Sequence, residues 1–406
     1  VGATEEVGQA TAFLTSDATA IITGVCLPDD DGAPIGFKDL RTNNMMKLGF
    51  GFYRHMLTPA NYDFAVQCGA THAVVHLVDY FYQGADRQNG HNQPVGNVEL
   101  GWGYAGGTPD DAWSLEALLS LKAELNEAGL EFEAIENFDP AHWHDILLDG
   151  PKRAEQLARL KQIIRDVAAA GIPVFGYNFS IAGVSGRHVS TEARGGAETV
   201  GMCGIDEINT TPLPLGMVWN MVYDPQAPQG AQPQITHDEL WRRLDGFLRE
   251  LVPVAEAAGV RLAAHPDDPP LDYVRGQPRL VYQPHMYQRL LDIVPSDHNA
   301  LEFCLGTLSE MTEGDIYEVC ERYVKQGKVA YIHFRNVRGK VPNYTETFID
   351  EGQIDMRRIM RILKDCGYDG MVIPDHTPQM SCAAPWHAGM AYAMGYIKAL
   401  HLEVSS

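Results

Sequence analysis

From Lys47 onward the chain alternates short apolar runs with longer amphipathic stretches. Eight runs have the length and the β-branched or aromatic content of strands: residues 47–52, 72–77, 132–137, 173–178, 261–266, 301–306, 329–334 and 371–376. Runs such as VAYI (329–332) show no polar alternation, as parallel strands covered on both faces require. Residues 114–129, 154–171, 237–259 and 314–327 instead repeat apolar side chains at three- and four-residue spacing and end on glycine, as helices do. Eight such strand–helix units predict an α/β fold, a (β/α)8 TIM barrel. A doubly wound sheet fits the same alternation, but it would not bring the ends of the last four strands into one ring.

Two connections, 78–112 and 179–236, are too long for simple turns and are rich in Gly, Pro, Asn and Thr. On a barrel they fall on the carboxyl-terminal face, where long loops form lids and substrate walls. Residues 1–45 follow a different pattern, with a helix predicted near 4–15 and a short strand near 20–27. They are expected to form an extra N-terminal helix–strand arm, with the barrel domain spanning 46–406.

The chemistry gathers at strand ends. The run RLAA closes on His265, and the prolines of HPDDPP (265–270) stop the strand there, because proline cannot donate to a sheet ladder. Three later runs close the same way, on Cys304, His333 and Asp375. In a parallel barrel the carboxyl ends of all strands meet on one face. Two imidazoles, a thiolate and a carboxylate would therefore converge, a set suited to a divalent transition ion and poorly suited to Mg²⁺ or Ca²⁺. Ligand identity alone leaves Mn²⁺, Fe²⁺ and Zn²⁺ open. Asp267 and Asp268 are expected either to orient His265 or to cap the following helix.

Charge and cysteine usage narrow the setting. A net charge of −22 argues against nucleic acid as a partner, because phosphate binding needs a basic field. Seven scattered cysteines with no CxxC argue against a disulfide framework and for a reducing compartment, so a cytoplasmic location is expected. No apolar run reaches the ~18 residues of a membrane span, and no signal peptide is visible.

The blocks HPDDPP, FCLGT (303–307), IHFRNVRG (332–339), VIPDHTPQM (372–380) and GYNFSIAGV (176–184) resemble, in order and spacing, the signature blocks of the mannonate dehydratase family. The resemblance runs from about residue 46 to 402. It implies a xylose-isomerase-like barrel using Mn²⁺ or Fe²⁺ to remove water from D-mannonate, or a closely related aldonate, giving 2-keto-3-deoxy-D-gluconate. Its metal positions fall on His265, Cys304, His333 and Asp375.

The reaction then assigns tasks. His376, beside Asp375, is the candidate general acid/base, and Tyr392 is the second proton-transfer candidate, although the family's tyrosine aligns one position away at Ala391. Arg187 and Arg335 are candidates to hold the substrate carboxylate. His76, Asn178 and Glu136 end strands and are expected to face sugar hydroxyls.

Departures fall on the loops. Where the family carries Asp-Trp-Thr-Arg-Thr this chain has Val184 to His188, keeping only Arg187; its Phe-His-Glu block becomes Tyr344, Thr345 and Glu346. The next loop, around Ile349 and Asp350, also lacks the family's histidine. Altered substrate recognition around a retained metal set is the expectation. Residues 1–31 resemble the carboxyl-terminal tail of a short-chain dehydrogenase/reductase, and the opening on Val1 leaves room for more of that domain upstream. Two other activities fit the same barrel: a metal-dependent keto-sugar isomerase or epimerase, and a non-catalytic sugar-acid-binding protein. A homo-oligomer acting on a small sugar acid, away from membranes, completes the expectation.

Overall fold

The computed structural model describes residues 46–84, 86–87 and 101–405. The expected N-terminal arm and its reductase-like tail lie outside the described residues. Eight parallel strands close into a barrel. They are β1 (Lys47–Phe52), β2 (His72–Val75), β3 (Glu131–Glu136), β4 (Val174–Tyr177), β5 (Arg261–Ala264), β6 (Asn299–Cys304), β7 (Val329–His333) and β8 (Met371–Ile373). Each pairs with its neighbours in sequence, and β8 closes the ring on β1 with Lys47 opposite Met371. The expected barrel is present, with every strand at its predicted place.

Helices α1 (Pro59–Gln67), α2 (Leu115–Glu127), α3 (Arg153–Ala169), α4 (His237–Ala258), α5 (Met286–Ile293), α6 (Ile316–Lys325), α7 (Met356–Asp365) and α8 (Pro385–Ser405) surround it. Their limits follow local chemistry. The Thr236 hydroxyl accepts from the Glu239 N–H at the start of α4, and Gly259 takes the left-handed turn after its end (φ 80°). Asp315 does the same for α6, accepting from the N–H groups of Tyr317 and Glu318.

Alternate strand positions form two cores. One set packs outward on the helices, among them Phe50, Phe52, Phe175, Leu262 and Phe303. The other, including Val74, Ala134, Ala263, Ala300, Ala330 and Tyr331, forms a separate cluster inside the ring. Small residues there leave room for larger polar ones. A Cβ on Gly176 would collide with the Tyr331 hydroxyl and the Glu302 carboxylate, so that strand position is glycine for packing reasons.

The connection after β4 is more ordered than its composition suggested. Strands His188–Ala193 and Ala197–Cys203, inserted after β4, join Asn336–Lys340 and Asn343–Thr347, inserted after β7, in a four-stranded antiparallel sheet. Its strands mix polar with apolar and buried with exposed positions, which is why no apolar run announced them. The sheet brings Arg187 and Glu346, distant in sequence, within 3.3 Å of each other.

Candidate functional site

The four strand-end residues come together. His265, Cys304 and His333 each offer a ligand atom, and the three atoms lie within 4.8 Å of one another. Asp375 joins them through Oδ2, 3.4 Å from His333 Nδ1. It sits just past β8 with φ of 64°, a left-handed conformation uncommon for a non-glycine residue and often found where a side chain is specially aimed. His265 donates from Nδ1 to the Pro266 carbonyl at 2.6 Å, which leaves Nε2 as the nitrogen directed to Cys304 and the cluster.

The donor set fits a cation. Burial would raise the Cys304 thiol, but Arg335 and the imidazoles of His265 and His333 hold it well below the ordinary range, favouring thiolate. Burial likewise opposes the Asp375 carboxylate, and His333, His376 and Arg335 overcome it. For His265, burial favours the neutral ring, while Cys304 and Glu302 raise it to about 9. Anionic sulfur and oxygen held beside two imidazoles inside a barrel make a candidate metal cluster. A second triple converges as tightly, Glu136, Glu302 and His333, also within 4.8 Å. His333 Nε2 faces both carboxylates at 3.3 Å while its Nδ1 faces Asp375. Glu302 lies in the middle of an apolar-looking strand, and sequence reasoning missed it.

Glu302 also gives a pH signature. Burial, and then the Glu136 charge, push its carboxyl up to about 8. Such a group stabilises the fold most below its unfolded value of ~4.3, and that contribution is lost as pH rises toward the folded value. Glu302→Gln removes the loss. The chelated variant should therefore gain melting temperature on its parent as pH rises from about 5 to 8, by a few degrees at the upper end. A difference that stays constant with pH would show that the carboxyl ionises as freely in the fold as out of it.

The other expected residues divide. His76, Glu136, Asn178, Arg187, Asp375 and His376 line one pocket together with His265 and His333. His76 Nδ1 lies 3.0 Å from the Tyr80 hydroxyl and its Nε2 3.6 Å from Glu136. Asn178 reaches the Pro266 carbonyl at 3.4 Å. His376 Nδ1 is 2.8 Å from Glu346 and its Nε2 is 3.2 Å from Asp375.

Arg335 departs from expectation, because its guanidinium is fully engaged within the protein. Nε lies 3.3 Å from Asp375; Nη1 bonds Glu310 and Glu346 at 3.0 and 2.9 Å; Nη2 bonds Asp268, Cys304 and Thr307 at 3.2, 3.2 and 2.9 Å. It braces the cluster from behind and is not among the pocket-lining residues. Arg187 does line the pocket, with Nη1 3.3 Å from Glu346.

Tyr392 is not brought to the cluster. It is more than one-third exposed, with its hydroxyl 3.4 Å from Arg194 Nη2, apart from the pocket. Nor do the acidic neighbours of His265 orient it or cap a helix. Asp267 accepts from the N–H groups of Leu280 and Val281 and pairs with buried Arg279, while Asp268 accepts from Arg335 and Thr307. The opposite pocket wall is aromatic, built from Tyr53, Tyr80, Trp102 and Trp219, which sequence reasoning did not single out.

A closed (β/α)8 barrel with His, Cys, His and Asp at the ends of consecutive strands defines a TIM barrel with a candidate metal centre. The pattern of the family described as D-mannonate dehydratase (UxuA) matches residues 90–202 and 205–404. A mannonate dehydratase from Streptococcus pneumoniae (strain 70585) is 31% identical over 275 residues, covering 65% of this chain and 74% of that protein. The crystal structure of mannonate dehydratase from Streptococcus suis serotype 2 superposes with a TM-score of 0.69 at 25% identity, covering 89% of this chain and 94% of that one. A D-psicose 3-epimerase from Clostridium cellulolyticum H10 shares the fold alone, with a TM-score of 0.52 at 13% identity. The chain belongs to the mannonate dehydratase family and is a sugar-acid dehydratase of that type, a hydro-lyase.

Proposed function

We propose that the chain dehydrates D-mannonate, or an aldonate close to it, to 2-keto-3-deoxy-D-gluconate, with Mn²⁺ or Fe²⁺ held by His265, Cys304, His333 and Asp375. The observation that carries this reading is the convergence of those four side chains beside His376. When bound, the ion supplies positive charge where negative charge develops next to the substrate carboxylate.

This chain's residues do the rest. Glu346 fixes the His376 ring through Nδ1, leaving Nε2 to exchange a proton. His376 takes the C2 proton and gives it to the 3-hydroxyl as the C3–O bond breaks. Water leaves, and the resulting enol rearranges to the keto acid. Arg187 orients the substrate carboxylate from the pocket wall, while His76, Glu136 and Asn178 bond its hydroxyls. Tyr392 has no part in this scheme. Among the described residues no helix is long and apolar enough to cross a membrane. A cytoplasmic homo-oligomer is the setting we propose.

The test is turnover by Mn²⁺-loaded protein on five- and six-carbon aldonates, scored for 2-keto-3-deoxy products, beside keto sugars scored for epimers. Keto-deoxy product from D-mannonate is expected. Epimers without it would replace this reading with the isomerase, and binding without any product would replace it with a sugar-acid binder.

A further inference from the structure

Met217–Val218 and Met221–Val222 pair as an antiparallel hairpin, so Trp219 and Asn220 alone make the turn. Both have positive φ, 49° and 58°. Two-residue turns of this kind suit Asn and Gly, which enter the left-handed region at little cost. A bulky aromatic there is a steric outlier.

The surroundings hold this turn from several sides. The Trp219 backbone N–H donates to the Ile181 carbonyl at 2.6 Å, and the Trp102 backbone N–H donates to the Asn220 carbonyl at 2.9 Å. Asn220 Nδ2 donates to the Val184 carbonyl at 2.9 Å, and its Oδ1 accepts from the buried guanidinium of Arg275 at 3.1 Å. Gly183, itself at φ 61°, allows the loop after β4 to approach: a Cβ there would lie 2.6 Å from the Trp219 carbonyl carbon.

The effect of this bracing is to place one indole. Trp219 is 2% exposed yet lines the pocket, its ring 5.3 Å from Trp102 and 5.7 Å from Tyr80. Tyr80 in turn lies 5.6 Å from His76, which faces Glu136 beside His333. The aromatic wall therefore stands two side chains away from the candidate metal cluster.

We propose that Trp219, with Trp102, forms a subsite for the distal carbons of the substrate, those beyond the reacting C2 and C3. The C–H groups of the polyol pack on the indole faces, so the subsite favours six-carbon aldonates over shorter ones. Strain maintained at a pocket residue by an over-determined surrounding points to a side chain that function uses. An indole offers broad apolar area with a single N–H donor, a match for a chain that alternates C–H and O–H. The proposal rests on the aldonate reading above and extends it to chain length.

The experiment compares Trp219→Asn, which suits the turn, and Trp219→Phe with the parent as Mn²⁺-loaded full chains. Calorimetric binding and turnover are measured on D-mannonate and on five- and four-carbon aldonates. Trp219→Asn loses a buried indole and should melt lower than the parent while keeping its far-UV circular dichroism. It should raise Kd and KM for D-mannonate about tenfold, with kcat within about twofold. The penalty should shrink with chain length, and Trp219→Phe should recover most of the affinity. Equal losses at every length, a loss confined to kcat, or unchanged affinity would overturn the subsite. Binding without turnover, still weakened by Trp219→Asn, would remove the dehydratase reading and leave the subsite standing. No aldonate binding at all would overturn both.

Discussion

Cys304→Ala, stripped and reloaded with Mn²⁺, is expected to lose metal affinity and turnover together, each by more than about 100-fold. The sulfur is one corner of a triangle with His265 and His333, and the only soft anionic donor in it. Its removal deletes a first ligand, a larger change than disturbing an outer partner. The fold should survive the change. Arg335 and Thr307 lose the sulfur as acceptor, but both keep Asp268 Oδ2, at 3.2 and 3.3 Å. Far-UV circular dichroism should therefore match the parent, and metal content should not. The second triple supplies the contrast. An ion seated on Glu136, Glu302 and His333 would remain in Cys304→Ala and be lost from Glu302→Gln. Full metal occupancy in Cys304→Ala would refute the ligand set.

Two of the residues legible in the sequence share one physical cause. His265 and Asp375 adjoin Pro266 and Pro374, so the chain itself marks where each strand stops and which side chain is left at its end. The barrel was legible too, because continuous apolar runs of strand length alternate with helical periodicity. The rest depends on contacts between distant segments. Arg187 and Arg335 were indistinguishable by composition; only the sheet formed by 188–203 and 336–347 decides that Arg335 is enclosed by carboxylates and Arg187 lines the pocket. Tyr392 sits on α8, and periodicity did not say that its hydroxyl meets Arg194 rather than the cluster. Trp219 was hidden differently. Its hairpin is two residues per strand, too short for an alternating pattern, and its positive φ belongs to no sequence signal that a Trp-Asn pair carries.

His376→Ala should reduce kcat by about 10²- to 10⁴-fold, the range ascribed to a positioned acid or base, while Mn²⁺ content and KM change by no more than a few-fold. The geometry separates the ring from the ligands. Its Nδ1 is taken by Glu346 at 2.8 Å, and Glu346 is itself fixed by Arg335 at 2.9 Å and Arg187 at 3.3 Å. Burial would favour the neutral acid there, but His376, Arg335 and Arg187 hold its carboxyl down to about 2, so it remains a charged acceptor across the working range. A charged, immobile acceptor on Nδ1 keeps a proton on that nitrogen and assigns the exchange to Nε2. Glu346→Gln should accordingly weaken this assignment and lower kcat less than His376→Ala does, again with metal retained. Loss of the proton carrier alone predicts partial rescue of His376→Ala by added imidazole, with the rescued rate rising with the fraction of neutral imidazole. If His376→Ala instead lost its metal, the 3.2 Å approach of Nε2 to Asp375 would mark His376 as a residue that positions a ligand, and the proton exchange would have to be assigned elsewhere in the pocket.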